Sequence, residues 1–144
     1  MKVLITGSRH WSDKEAIERA IARANPNTII EGGAPGADAI AKEYAQRKSI
    51  KVIEVKADWD KYGKRAGPMR NSAMIAMKPD LVLAFSKDLS KDKGTSDTVK
   101  KAIAENIKVC YNDHYNSRYT DHYNANHRWF HQKGQDRVKT MQSP

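Results

Sequence analysis

The chain has 144 residues, 39% of them hydrophobic, a mean hydropathy of −0.80, and 26 Lys and Arg against 17 Asp and Glu for a formal net charge of +9. That length builds one ordinary domain with a real core, and no apolar run approaches the ~20 residues of a membrane span. No signal peptide opens it and its single cysteine, Cys110, excludes an internal disulfide, so a cytoplasmic, membrane-free protein is expected.

Lys2-Val3-Leu4-Ile5-Thr6 predicts a strand that breaks at Gly7-Ser8-Arg9-His10-Trp11. Ser12-Asp13-Lys14-Glu15 has the pattern of a capping box, and Ala16, Ile17, Ala20, Ile21 and Ala24 follow at helical spacing. Asn25-Pro26-Asn27 stops that helix; residues 28–31 predict a second strand, 37–48 a second helix and 52–55 a third strand. A polar stretch, 56–65, leads to a third helix with Pro68 as its first residue, which places Arg70 and Asn71 in its first turn. Residues 80–85 form the most apolar strand, followed by a polar loop from Ser86 to Lys93, then Gly94-Thr95, a fourth helix to about Asn106 and a last strand at 107–110. Five strands alternating with four helices, apolar on both faces, predict a parallel sheet in a three-layer α/β sandwich, with ligands at the strand carboxyl ends.

Residues 111–144 differ in kind and are expected to be a polar, aromatic, partly helical C-terminal extension to the 1–110 domain. Tyr111, Tyr115, Tyr119 and Tyr123 recur every four residues. On a helix they form a stripe drifting by about 40° per step, suited to packing on the domain or a second subunit, or to stacking bases. His114, His122, His127 and His131 fit no standard metal-ligand spacing, and neither a metal nor a cofactor is expected.

Four loops carry the candidate chemistry. Gly7, Ser8 and Arg9 offer a turn, a hydroxyl and a guanidinium suited to phosphate. Gly32, Gly33, Gly36, Ala37 and Asp38 lie in a glycine-rich strand-to-helix loop whose amides and helix dipole favour an oxyanion, although it lacks both the Walker A ending and the GxGxxG spacing. Arg70 and Asn71 are placed for a second phosphate or a ribose hydroxyl. Gly94 and Thr95 open the fourth helix, which Asp97 either caps or leaves to bind ribose. Trp11 and Trp59 lie in strand-end loops where an indole stacks on a base or simply packs.

Taken together, Gly7-Ser8-Arg9-x-Trp11, Gly32-Gly33-Ala34-x-Gly36-Ala37-Asp38, Ala57-Asp58-Trp59, Gly63-Lys64-x-Ala66-Gly67-Pro68-x-Arg70-Asn71 and Gly94-Thr95-x-Asp97 closely resemble the YspA-like branch of the SLOG superfamily, relatives of Smf/DprA and LOG proteins. The resemblance spans roughly residues 1–110 and implies a Rossmann-like fold, nucleotide or nucleotide-derivative binding, and often a homo-oligomer. LOG relatives are phosphoribohydrolases that use an arginine and a Gly-Thr-x-x-Glu glutamate. Arg70 matches the arginine, but Thr98 stands at the glutamate's place, with Asp97 one residue earlier and about 100° round the helix. Three readings follow. The first is a sensor or sequestering protein for an ADP-ribose or cyclic-nucleotide type of ligand. The second is a nucleoside-monophosphate hydrolase using Arg70 and Asp97, and the third a DprA-like binder of single-stranded nucleic acid, favoured by the basic charge.

Overall fold

A computed structural model of the chain describes residues 1–112 and 127–130. The elements follow the predicted alternation: β1 (Lys2–Gly7), α1 (Lys14–Ala24), β2 (Thr28–Glu31), α2 (Ala37–Arg47), β3 (Lys51–Glu54), a short α3 (Trp59–Tyr62), α4 (Ala66–Ala76), β4 (Leu81–Phe85), α5 (Lys93–Ala104), β5 (Lys108–Asn112) and β6 (His127–Phe130). The sheet order is β3-β2-β1-β4-β5-β6, with β1 to β5 all parallel and β6 antiparallel to β5. It is a Rossmann-like α/β sandwich. Among the described residues no helix is long and apolar enough to cross a membrane.

Strand alternation divides the core into two layers. Val3, Ile5, Ile29, Leu81, Leu83 and Phe85 face α1 and α2, burying Ile17, Ile21, Ala41 and Tyr44. Leu4, Ile30, Val82, Ala84 and Val109 face α4 and α5, burying Met74, Ile75, Val99 and Ile103. Because β1 and β4 are covered on both sides, their runs are continuously apolar rather than alternating.

Four local expectations shift. Asp13, not Ser12, caps α1, its side chain accepting from the Ala16 amide at 3.2 Å, while Glu15 pairs with Arg19 rather than reaching back. Helix α4 begins at Ala66, so Pro68 is its third residue and Arg70 and Asn71 stand in its second turn. Asp92 caps α5 through the Thr95 amide at 3.2 Å, so Asp97 is free of that duty. Strand β5 continues to Asn112, and Tyr111 is a buried strand residue whose hydroxyl donates to the Ser86 carbonyl at 2.6 Å. Tyr111 therefore leaves the tyrosine stripe; the rest of that stripe, with His114, His122 and His131, lies outside the described residues.

The tightest backbone approach in the sheet is at the end of β1. A Cβ on Gly7 would stand 2.5 Å from the Phe85 carbonyl oxygen and 2.7 Å from the Ala37 Cβ, both on elements that cannot yield without moving β4 or α2. Gly7→Ala is expected to cost on the order of 2 kcal/mol or more, a fall of roughly 10 °C in Tm measured by thermal unfolding. An unchanged Tm would show that these elements are free to separate.

Candidate functional site

The sheet order reverses between β1 and β4, since β1 to β3 run one way from the centre and β4 and β5 the other. Such a switch point opens a crevice at the strand carboxyl ends, because the loops leaving the two strands turn to opposite faces. Here the crevice is a cleft of about 540 Å³, lined by the loop from Ser8 to Trp11 on one side and by Ser86 to Asp88 and Lys91 to Lys93 on the other.

Ser8 organises the β1 loop. Its amide donates to the Phe85 carbonyl at 2.8 Å, and its carbonyl accepts from Trp11 at 3.1 Å and from Ala37 at 3.2 Å. Its hydroxyl oxygen accepts from the His10 amide at 3.0 Å. Gly36, at φ +78°, lies directly against the Ser8 and Arg9 backbone, where no side chain fits. Trp11 is a packing residue, 4% exposed, with its indole N–H donating to the Asp13 carbonyl at 2.8 Å and its ring edge-on to Phe85. It forms part of the cleft wall and offers no open face for stacking.

The cleft is cationic at its rim. Arg9, His10, Lys87, Lys91 and Lys93 are exposed there; of the two acids in the lining, Asp88 serves a turn and pairs with Lys91 at 4.0 Å, and Asp92 caps α5 through Oδ1 while its Oδ2 is buried without a hydrogen-bond partner. Asp88 accepts from the Ser90 amide at 3.1 Å and hydroxyl at 2.6 Å, contacts that hold its carboxyl below the usual range. Asp92 is occupied by the α5 cap. His10 and the three lysines were not singled out from the sequence. Their placement opposite Arg9 follows only from the adjacency of β1 and β4.

The glycine-rich loop differs from the anion nest expected of it. The Gly32 and Ala34 amides donate to Asp38 Oδ2 at 3.1 and 3.3 Å, and the Gly33 amide to Glu31 Oε1 at 2.6 Å. Three consecutive amides thus serve the loop's own carboxylates. Glu31 is fully buried, and burial, reinforced by the neighbouring Glu54, pushes its carboxyl up to about 8. Glu54 stands beside it in register, held below the usual range by Glu31 and then by Lys42, whose ammonium is 3.1 Å away. Two bare carboxylates side by side repel, so we assign this pair one proton, resident on Glu31. Asp38 is 6% exposed, and burial raises it to about 6 against the opposing pull of the Ala34 amide and Arg70.

Arg70 lies over Gly32, its Nη1 donating to the Gly32 carbonyl at 2.5 Å and its Nε to Asn71 Oδ1 at 2.9 Å. Asn71 Nδ2 in turn donates to Asp97 Oδ2 at 3.1 Å, and Lys101 pairs with the same oxygen at 2.7 Å. Thr95 is buried in the first turn of α5, and Thr98 is buried with its hydroxyl donating to the Gly94 carbonyl at 3.2 Å. Trp59 is 57% exposed, with its ring edge against Gly67.

Comparison with known proteins agrees with this architecture. The model of the YspA, cpYpsA-related SLOG family matches residues 1–62. The Gene 61 protein of Mycobacterium phage D29 is 36% identical over 111 residues, covering 70% of this chain and 87% of that protein. The chain belongs to this SLOG family. Its fold is similar to that of DNA processing protein A (DprA) from Streptococcus pneumoniae, with a TM-score of 0.61 and 22% identity over 76% of the chain. The match spans about half of DprA, 49% of its length. It is also similar to the structure of TM1055, with a TM-score of 0.56 and 16% identity over 75% of this chain and 71% of that one.

Of the residues singled out from the sequence, this SLOG chain gathers Gly7, Ser8, Arg9, Trp11, Gly36 and Ala37 at the β1 end. Gly32, Gly33, Asp38 and Arg70 form a second group beside it, and Asn71, Gly94 and Asp97 a third, linked to the second through the Arg70–Asn71 contact. The unforeseen member is Glu54, whose place beside Glu31 at the ends of adjacent strands becomes visible only with the register.

The Glu31 proton has a consequence for stability. Its folded-state value lies above the unfolded 4.5, so the folded chain holds a proton that the unfolded one releases. The stabilisation is complete below about pH 4.5 and is lost as pH rises toward about 8. Glu31→Gln, which keeps an acceptor for Gly33 and a donor for Glu54, is expected to flatten that decline and to be the more stable protein at pH 8, by on the order of a few kcal/mol. Chemical denaturation at several pH values reads this, and parallel pH profiles would refute the assignment.

Proposed function

We propose that this protein binds a nucleotide or nucleotide-derived ligand, its phosphates seated in the cleft between the β1 and β4 loops, and that it senses or sequesters that ligand rather than cleaving it. The observation that carries the reading is the crevice at the strand-order reversal, rimmed by Arg9, Lys87, Lys91 and Lys93, four cations against Asp88, which pairs with Lys91, and Asp92, which caps α5. Guanidinium and ammonium groups at a strand-end crevice complement a phosphate ester.

Two observations weigh against hydrolysis. Cleaving an N-glycosidic bond through an oxocarbenium-like transition state calls for a carboxylate near the anomeric carbon. Asp97 is already paired with Lys101 and Asn71, and the position of the LOG glutamate is held by the buried hydroxyl of Thr98. Single-stranded nucleic acid is the competing ligand, favoured by the net charge of +9.

Calorimetry with a panel of mononucleotides, ADP-ribose, cyclic nucleotides and a short single strand tests the reading. A small nucleotide is expected to bind, and Arg9→Ala or Lys87→Ala to weaken it about tenfold or more each, the worth of one charge-assisted contact. Asp97→Asn is expected to leave affinity unchanged, and chromatography to find no free base. Binding by no small member of the panel, with the protein folded, would refute the proposal, as would release of base.

A further inference from the structure

The glycine loop has the backbone form of an oxyanion site, and yet the site is already filled from within. Gly33 adopts φ +75°, which turns the flanking Gly32 and Ala34 amides toward a common acceptor, Asp38 Oδ2. Successive amides converging in this way bind phosphates and carboxylates alike. We propose that Asp38 is an internal placeholder, its carboxylate occupying the anion nest of Gly32 to Ala34, so that the loop accepts an external phosphate-type oxyanion only after Asp38 is neutralised or displaced. The inference deepens the nucleotide-binding reading and rests on it for the chemistry of the ligand, a phosphate ester.

Two features make the occupation conditional. Asp38 Oδ1 is buried with no hydrogen-bond partner, so the carboxylate is only half satisfied and its charged form is held at a cost. The charges around it also nearly cancel. Asp38 and Lys42 come from α2, Glu31 from β2, Glu54 from β3, Lys56 from the following loop and Arg70 from α4. The Glu31–Glu54 pair carries one negative charge, leaving three cations against that charge and Asp38. Neutral Asp38 thus adds one to the positive charge already in excess around the loop and leaves two amides whose acceptor has weakened. Since burial raises Asp38 to about 6, mild acidification is sufficient to neutralise it. At neutral pH, a ligand whose phosphate out-competes the carboxylate would displace the Asp38 side chain, coupling binding to a rearrangement of the first turn of α2.

The test uses sulfate, whose charge does not change over the range employed, followed by amide NMR of Gly32, Gly33 and Ala34 in the full chain. At pH 7.5 these amides are expected to be unmoved by sulfate, and at pH 5 to shift saturably. Asp38→Asn, which keeps an acceptor but removes the charge, is expected to show the shifts at both pH values, with apparent affinity at pH 7.5 at least tenfold above that of the native chain. Equal responses of the native loop at the two pH values, or no response at either, would overturn the proposal. So would an Asn variant that is folded and binds no more tightly at pH 7.5. Should that variant fail to fold, the pH comparison on the native chain decides alone. The probe contains no nucleotide, so a negative nucleotide panel with a positive sulfate result removes only the ligand assignment, and the converse removes only the placeholder.

Discussion

The carboxyl-end edge of the sheet depends on a three-way contact at the end of β1. Gly7 brings the strand against Phe85 of β4 and Ala37 of α2, and Gly36 lets the start of α2 lie on the Ser8 and Arg9 backbone. The Ser8 carbonyl then receives both the Trp11 and Ala37 amides. Because these are main-chain contacts, they leave the surrounding side chains free for other work. Arg9 is held at the rim of the cleft by the path of its backbone, and the Gly32–Asp38 loop is fixed in place beside it. A side chain at either glycine would separate the two loops, and with them the cationic cleft from the acid-rich loop.

Electrostatics divides that edge into two regions of opposite design. In the β1/β4 cleft the cations outnumber the acids, Asp88 pairing with Lys91 and Asp92 capping α5, so the exposed rim keeps an excess of positive charge. At the ends of β2 and β3 Glu31 and Asp38 are buried, Glu54 is partly exposed, and the cations pair with the acids, so that Lys42 and Lys56 serve Glu54 and Arg70 leans on the loop holding Asp38. Burying Glu31 and Asp38 beside Glu54 would be prohibitive if all three were charged. One shared proton and three cations make it tolerable, and they also make this region sensitive to pH.

The layered fold was legible because two signals agreed, continuous apolar runs for the strands and helical spacing between them. Boundaries slipped where neighbouring residues compete for one role. Ser12 and Asp13 are both good caps, and the choice fell to Asp13, which stands immediately before the helix and accepts from the Ala16 amide three residues on. Pro68 misled because proline is tolerated anywhere in a first turn, whose amides have no helical partner. Tyr111 matched the four-residue repeat but was claimed by β5, which extends to Asn112 and pairs with β6. The site was less legible for a different reason. Glycines announce that amides are accessible, but not which acceptor takes them, and Asp38 sits in the same motif. The lysines across the cleft depended on the crossover from β3 to β4, which no local pattern encodes.

The departure at Thr98 gains meaning from its surroundings. A glutamate at that position would have to leave the buried interior of α5, where the hydroxyl of Thr98 is satisfied by the Gly94 carbonyl. The nearby carboxylate, Asp97, is instead bound to a lysine one turn along the same helix and to Asn71 on α4, which fastens the two helices together. Lys101 adds a second tie to α4 through the Pro68 carbonyl at 2.8 Å. A side chain that closes an interhelical network is poorly suited to approach a ligand, since moving it would leave the Asn71 amide and the Lys101 ammonium short of a partner. The same network steadies Arg70 through Asn71 Oδ1. In this chain, then, Asp97 is a tie between α4 and α5 that also fixes where Arg70 stands.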